Sequence, residues 1–225
     1  MSSTKPNRGR PVDEGLWDRR TDEILDIAID LFAERGYNGA DTQEIANRVG
    51  VGKGTLYRYF PSKESLFLAA ADRVMRRLQA HIDEKTNEQI DALLQMRVAI
   101  GAFLAFFDTH PAFAELLILE RALFRDRKTP TYLEHREKNR CRWEQFYQEL
   151  IDRQRIRPMP LDRLTTVISD LIYGTMFTNH ISGREKSLQE QADGIVDIVF
   201  HGILTEEERI RQKPEPSSST SSSLQ

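Results

Sequence analysis

The chain has 225 residues, 39% hydrophobic and 30% charged, with 32 Lys and Arg against 35 Asp and Glu. That composition excludes a disordered chain and a polycation that coats nucleic acid, while leaving room for a localised basic face. The single cysteine, Cys141, rules out an intrachain disulfide; with no apolar run near the roughly 20 residues of a bilayer span and no secretory signal, a cytoplasmic protein without a membrane partner is expected.

Residues 1–12 form a polar arm in which Lys5, Arg8 and Arg10 alternate with Pro and Gly. Residues 213–225 are Ser-rich with two prolines and offer too little to bury, so a disordered tail is expected. Between these ends the apolar residues recur at three- and four-residue steps, and no segment alternates as a strand does. The spacing predicts a first helix from about Asp18 to Arg35, with Ile24, Ala28, Leu31 and Phe32 on one face and Gly36 as its left-handed stop. A second helix is predicted from Thr42 to Val49, with Asp41 as N-cap and Glu44 as reciprocal partner in a capping box; Gly50 ends it. A third covers Lys53 to Phe60 before Pro61, and Ser62 caps a fourth that reaches Lys85. Further helices are predicted at 88–109, 111–125, 130–155, 161–181 and 187–204, separated by Pro111, Pro130, Pro158, Pro160 and Gly183. The fold class is therefore all-α, with about nine helices. The expected division is an arm at 1–12, a DNA-binding domain at 13–62, a ligand-binding and dimerisation domain at 63–212, and the tail.

Residues 42–59, TQEIANRVGVGKGTLYRY, meet the demands of a helix-turn-helix. That motif packs two short helices steeply across a turn of about three or four residues. Ile45, Val49, Val51, Leu56 and Tyr59 fall where side chains enter the angle between the helices, Ala46 where the helices come closest, and Gly50 where φ turns positive. With ILDIAIDLFAERGY before it and PSKESLF after it, this stretch resembles the amino-terminal domain of the TetR family of bacterial transcriptional repressors. The resemblance covers residues 24–67 closely; Gly52 departs from it, since the family more often caps the recognition helix with Ser. The later helices match that family only in number and length.

A recognition helix enters the major groove by its N-terminus, which puts Lys53, Gly54, Thr55, Tyr57 and Arg58 toward base edges. Lys53 can donate to guanine, and Thr55 can pair either way or meet a thymine methyl. Thr42 and Gln43 open the second helix, where backbone amides favour a phosphate. The resemblance implies phosphate contacts for Tyr57, Tyr59 and Lys63, with the Tyr59 ring in the core. Residues 42–63 carry Arg48, Lys53, Arg58 and Lys63 against Glu44 alone, while most acids of the domain lie on the first helix. Arg8-Gly9-Arg10-Pro11 is similar to a minor-groove hook, and a loose basic arm is the alternative reading. The partner expected is a double-stranded, palindromic operator.

In the second half, Leu164, Ile168, Leu171 and Ile172 form one apolar stripe, and Ile195, Val199 and Ile203 belong to another. By resemblance these two helices pair with their copies in a homodimer; an intrachain core is the alternative. Phe106, Phe107, His110, Leu117, Trp143, Tyr147, Tyr173 and Phe177 are candidates to line the site of an unidentified small-molecule effector, partly apolar or aromatic. Glu120 shares a face with Leu116, Leu117 and Leu123, so it needs a partner, either an Arg such as Arg136 or Arg140 or a ligand. No histidine has Glu three residues before it, and no HExxH, phosphate loop or G-x-S-x-G occurs. A cofactor is not expected, nor is an enzyme. The resemblance implies a repressor released by its effector; a ligand-responsive activator and a plain interaction module are the alternatives.

Overall fold

A computed structural model describes residues 14–202 apart from Ile90. Nine helices follow one another among the described residues, and no strand is found there. They are α1 (Glu14–Gly39), α2 (Thr42–Val49), α3 (Lys53–Tyr59), α4 (Lys63–Thr86), α5 (Ala92–Thr109), α6 (Pro111–Leu123), α7 (Thr131–Asp152), α8 (Leu161–Ser182) and α9 (Leu188–His201).

The helix ends follow local chemistry. Gly36 breaks the regular run of α1 at φ 67°, and Gly50 stops α2 at φ 78°, both in the region that suits glycine. Ser62 and Ser65 cap α4 reciprocally, and Ser187 and Glu190 do the same for α9. The capping box expected for α2 is not formed. Asp41 does cap it, accepting from the Gln43 amide, but the Glu44 carboxylate turns to Arg35 and Arg48 instead. The fifth helix also starts later than the spacing implied, at Ala92, because Asp91 accepts from the Leu94 amide.

Ile24, Leu25, Ala28, Ile29, Leu31 and Phe32 of α1 are wholly buried beside Ile45, Ala46, Leu56, Leu66 and Phe67. This core holds α2 and α3 against α1 and the start of α4. At about 1.5 Å per residue the 24 residues of α4 extend about 36 Å, so the helix that follows the α2–α3 unit also walls the other half. There α5 is the central helix, packed against α4, α6, α8 and α9. It is 18 residues long and apolar enough, by length and composition, to cross a bilayer, which corrects the expectation that no such run exists. In this fold Ile100, Phe103, Leu104 and Phe107 of α5 are buried among protein side chains.

Candidate nucleic-acid interface and ligand cavity

The α2–α3 unit has a filled interior. Ile45, Ala46, Val49 and Leu56 are buried, Val51 and Tyr59 are partly so, and Trp17 stacks on Tyr59 with ring centroids 3.8 Å apart. Arg20 of α1 donates to the Val49 carbonyl at 3.2 Å, tying the end of α2 to the first helix. What remains outside is the leading face of α3. Lys53, Gly54, Tyr57 and Arg58 are exposed and Thr55 is half-buried. No described residue pairs with Lys53 or Arg58. Both cations are thus free for phosphates or base edges, and Gly54 lets another backbone come close.

Three other candidates are placed differently. Thr42 is buried, and its hydroxyl lies 3.2 Å from that of Tyr57. The two side chains brace α2 against α3, so Thr42 positions Tyr57 and does not face outward. The Gln43 amide is already occupied by the Asp41 carboxylate at 2.8 Å, and the Gln43 side chain donates to Asn47. A carboxylate therefore stands where a phosphate was expected, and it opposes an anion. Lys63 reaches back to the Asn38 carbonyl at 3.4 Å and lies 4.9 Å from the centre of the Tyr37 ring.

The charge pattern is also narrower than the count of basic residues implied. Arg48 is engaged by Glu44 at 2.7 Å and by Glu34 at 3.9 Å. The acidic face of α1 is neutralised by α4: Asp26 receives Arg73 through both oxygens at 2.8 Å and Arg77 at 3.1 Å, and Asp22 also meets Arg73. The hydrogen bond to Asp26 holds the Arg73 pKa above its ordinary value. These pairs lock α1 to α4, while the cations of α3 have no partner among the described residues. Arg8 and Arg10 lie outside the described residues.

In the other half, α4, α5, α7 and α8 enclose a cavity of about 90 Å³, lined by residues including Leu78, Ile100, His135, Trp143, Tyr147, Thr165, Ile168 and Tyr173. Of the candidate ligand residues, Trp143, Tyr147 and Tyr173 line this cavity. Burial pushes the Tyr147 and Tyr173 hydroxyls well above the usual phenol range, so both stay neutral. Phe106, Leu117 and Phe177 belong to the hydrophobic core, and Phe107 lines a separate recess with Asp108 and Met176. His110 stacks on Phe113, with its Nδ1 3.0 Å from the Phe106 carbonyl, away from the cavity.

Glu120 has its partner, and it is neither Arg136 nor Arg140. The side chain is 1% exposed, and Oε1 accepts from Arg127 at 2.9 Å, the Thr131 amide at 2.8 Å and the Thr131 hydroxyl at 2.9 Å. Arg136 is spent on Asp170 at 2.6 Å, and Arg140 pairs with Glu137 at 2.8 Å. Glu120 thereby caps α7, whose preceding Pro130 has no side-chain acceptor.

An open cleft of about 600 Å³ shares Met96, Tyr147 and Ile168 with the cavity and is rimmed by Arg155, Arg157 and Arg163. Its outer wall carries the apolar face of α8 and α9. The expected dimer residues divide there: Ile168 and Ile195 turn inward at 6% and 9% exposure, Leu164, Ile172 and Val199 are half-buried, and Leu171 is exposed. Ile203 lies outside the described residues. Val167 and Ile181, which lie off the predicted stripes, and Ile198, which lies on one, are exposed large apolar side chains. A helix with an apolar arc broader than one partner covers does not reveal from its sequence which edge of the arc its own chain will use.

Residues 24–70 match the family model of bacterial regulatory proteins, tetR family; the match runs from α1 through α3 into α4. The chain is 35% identical over 103 residues to the HTH-type transcriptional activator FasR of Mycolicibacterium smegmatis, covering 46% of this chain and 47% of that protein. It is 28% identical over 106 residues to the nucleoid occlusion factor SlmA of Haemophilus ducreyi, covering 47% and 52%. The chain thus spans about half the length of the curated relatives it matches. A transcriptional regulator FadR from Bacillus subtilis, solved with stearoyl-CoA, has the same fold at a TM-score of 0.67 and 19% identity, over 81% of this chain and 98% of that one. The FadR of Bacillus halodurans aligns at a TM-score of 0.68 and 20% identity, over 81% and 99%. Over residues 24–70 the chain is thus similar to the amino-terminal domain of the tetR family of bacterial regulatory proteins.

Proposed function

We propose that the protein is a DNA-binding transcriptional regulator, acting as a homodimer on a palindromic operator and releasing it when a small molecule occupies the carboxy-terminal half. The observation that carries this reading is the free, cationic leading face of α3 on a unit whose other face is fully packed. Two such faces related by a twofold axis suit half-sites about one helical turn apart. The exposed side chains Val167, Leu171 and Ile198 on α8 and α9 supply the surface that a second copy covers. The division into a reading domain before α4 and an effector and dimer domain from α4 onward follows the same logic. Selection from random duplexes is expected to yield a palindrome. Lys53→Ala is expected to cost about 1–3 kcal/mol of operator affinity if Lys53 reads a base. If it holds a phosphate instead, the slope of log K against log salt falls by about 0.9 per protomer. Equal affinity for all duplexes, in wild type and variant alike, sinks the reading.

The effector has an apolar body, because the cavity is walled mainly by apolar and aromatic side chains. An acyl group is supported by the stearoyl-CoA held by the Bacillus subtilis relative, with Arg157 and Arg163 available to an anionic headgroup at the cleft, where Arg155 is held by Asp91 at 2.9 Å. Activation is the second reading, favoured by the similarity to FasR, a transcriptional activator. Transcription from an operator-bearing template, with and without the protein, separates the two by sign.

A further inference from the structure

In the lining of the cavity between α4, α5, α7 and α8, one fully buried polar atom has no hydrogen-bond partner among the described residues. Thr165, on the first turns of α8, is 6% exposed, and its Oγ finds no hydrogen-bond partner among the described residues. A threonine on a helix ordinarily donates back to the carbonyl four residues earlier; Thr175 does so, to Leu171 at 2.8 Å. Thr165 does not. Leaving a buried hydroxyl unpaired is costly, so such a group in a native fold calls for a specific cause.

The charged residues of the lining are in the opposite condition. Arg136 is held by Asp170 at 2.6 Å, and His135 Nε2 lies 2.7 Å from Asp72 Oδ1. No cation of the lining is left over for a carboxylate or phosphate, whose burial without a partner is expensive. At about 90 Å³ the space holds roughly three waters or a short organic segment.

Accepting the carboxy-terminal half as an effector domain, we propose that this cavity selects a ligand whose buried part is uncharged and carries one hydrogen-bonding oxygen, an alcohol or a carbonyl, and that the Thr165 hydroxyl is the specificity-determining residue that reads it. An ester or thioester carbonyl drawn into the cavity at the headgroup end of an acyl chain belongs to this class. A purely hydrocarbon occupant displaces solvent and strands the hydroxyl, so it is disfavoured relative to its oxygenated counterpart.

The test uses the full chain with two probes, 1-hexanol and n-hexane, and reads occupancy through the emission of Trp143, which lines the cavity. Wild type is expected to bind both probes. In Thr165→Val, which keeps the shape and removes the hydroxyl, hexanol binding is expected to weaken about tenfold while hexane binding holds or tightens. Thr165→Ser is expected to retain the hexanol preference. The unliganded Thr165→Val protein is expected to melt at or above the wild-type temperature, since an unpaired hydroxyl has become a methyl group. Any of four results overturns the proposal: no binding of either probe to wild type, equal changes for both probes in Thr165→Val, a hexanol preference lost in Thr165→Ser, or a lower melting temperature for Thr165→Val. Duplex selection on the same wild-type protein stands apart. Failure there removes the regulator reading and leaves the cavity result intact.

Discussion

Phe67→Ala is expected to lower the unfolding free energy by about 3–5 kcal/mol. Phe67 is wholly buried on α4, edge-on to Phe32 at 4.9 Å and to Tyr37 at 5.5 Å, and its ring lies 5.4 Å from that of Phe124 beyond α6. It is therefore the side chain on which the first helix, the long fourth helix and the α6–α7 link meet. Truncation removes an aromatic ring from a site bounded by other rings and by α4 itself, none of which collapses easily into the space. Urea titration followed by circular dichroism is the measurement. The midpoint is expected to fall with an unchanged slope, because the surface exposed on unfolding barely alters. Phe67→Leu, which keeps most of the volume, is expected to cost less. A Phe67→Ala midpoint shift worth less than about 0.5 kcal/mol, the scale of a surface substitution, refutes this packing.

The second large effect concerns Glu120. Its Oε1 accepts three hydrogen bonds in a site that is 1% exposed, and one of them satisfies the first backbone amide of α7. Glu120→Ala leaves that amide and the Thr131 hydroxyl buried without an acceptor and takes from Arg127 one of its two carboxylates. The other, Glu134 at 2.7 Å, remains. Breaking a buried ion pair from one side costs about 3–5 kcal/mol; because Arg127 is 25% exposed and keeps Glu134, a loss of about 3 kcal/mol is expected. Glu120→Gln keeps an acceptor for Thr131 and gives up the charge, so about 1 kcal/mol is expected. Hydrogen exchange at the Thr131 amide distinguishes capping from general loosening. Protection is expected to vanish in the Ala variant and to persist in the Gln variant. Equal costs for both variants would mean that the acceptor role is misassigned.

These two sites differ in how far they could be anticipated. The burial of Glu120 followed from its spacing among leucines, a property of one helix. Its partner did not. Arg127 lies in the link after α6, where the path of the chain sets the reach, and the helical candidates Arg136 and Arg140 have nearer carboxylates. The same competition undid the capping box at α2. Glu44 stands at the right offset from Asp41, but Arg35 and Arg48 offer its carboxylate full charges where the backbone offers a single amide. Thr165 carries a usable signal in its spacing: it precedes Ile168 and Ile172 at steps of three and four, at the head of the stripe that faces the cavity.

The amino acid order alone determined the helical class, the α2–α3 unit and most helix ends, because caps, left-handed glycines and three-to-four periodicity act within a few residues of chain. It also placed Lys53 and Arg58 on an exposed face, since seven residues of helix around a buried Leu56 leave them nowhere else to go. Only the packed structure decided which cations stay unpaired, which carboxylate caps which helix, and which edge of the α8 and α9 stripes turns inward. Those outcomes depend on distances between segments remote in sequence, set by the rotation of whole helices about their axes.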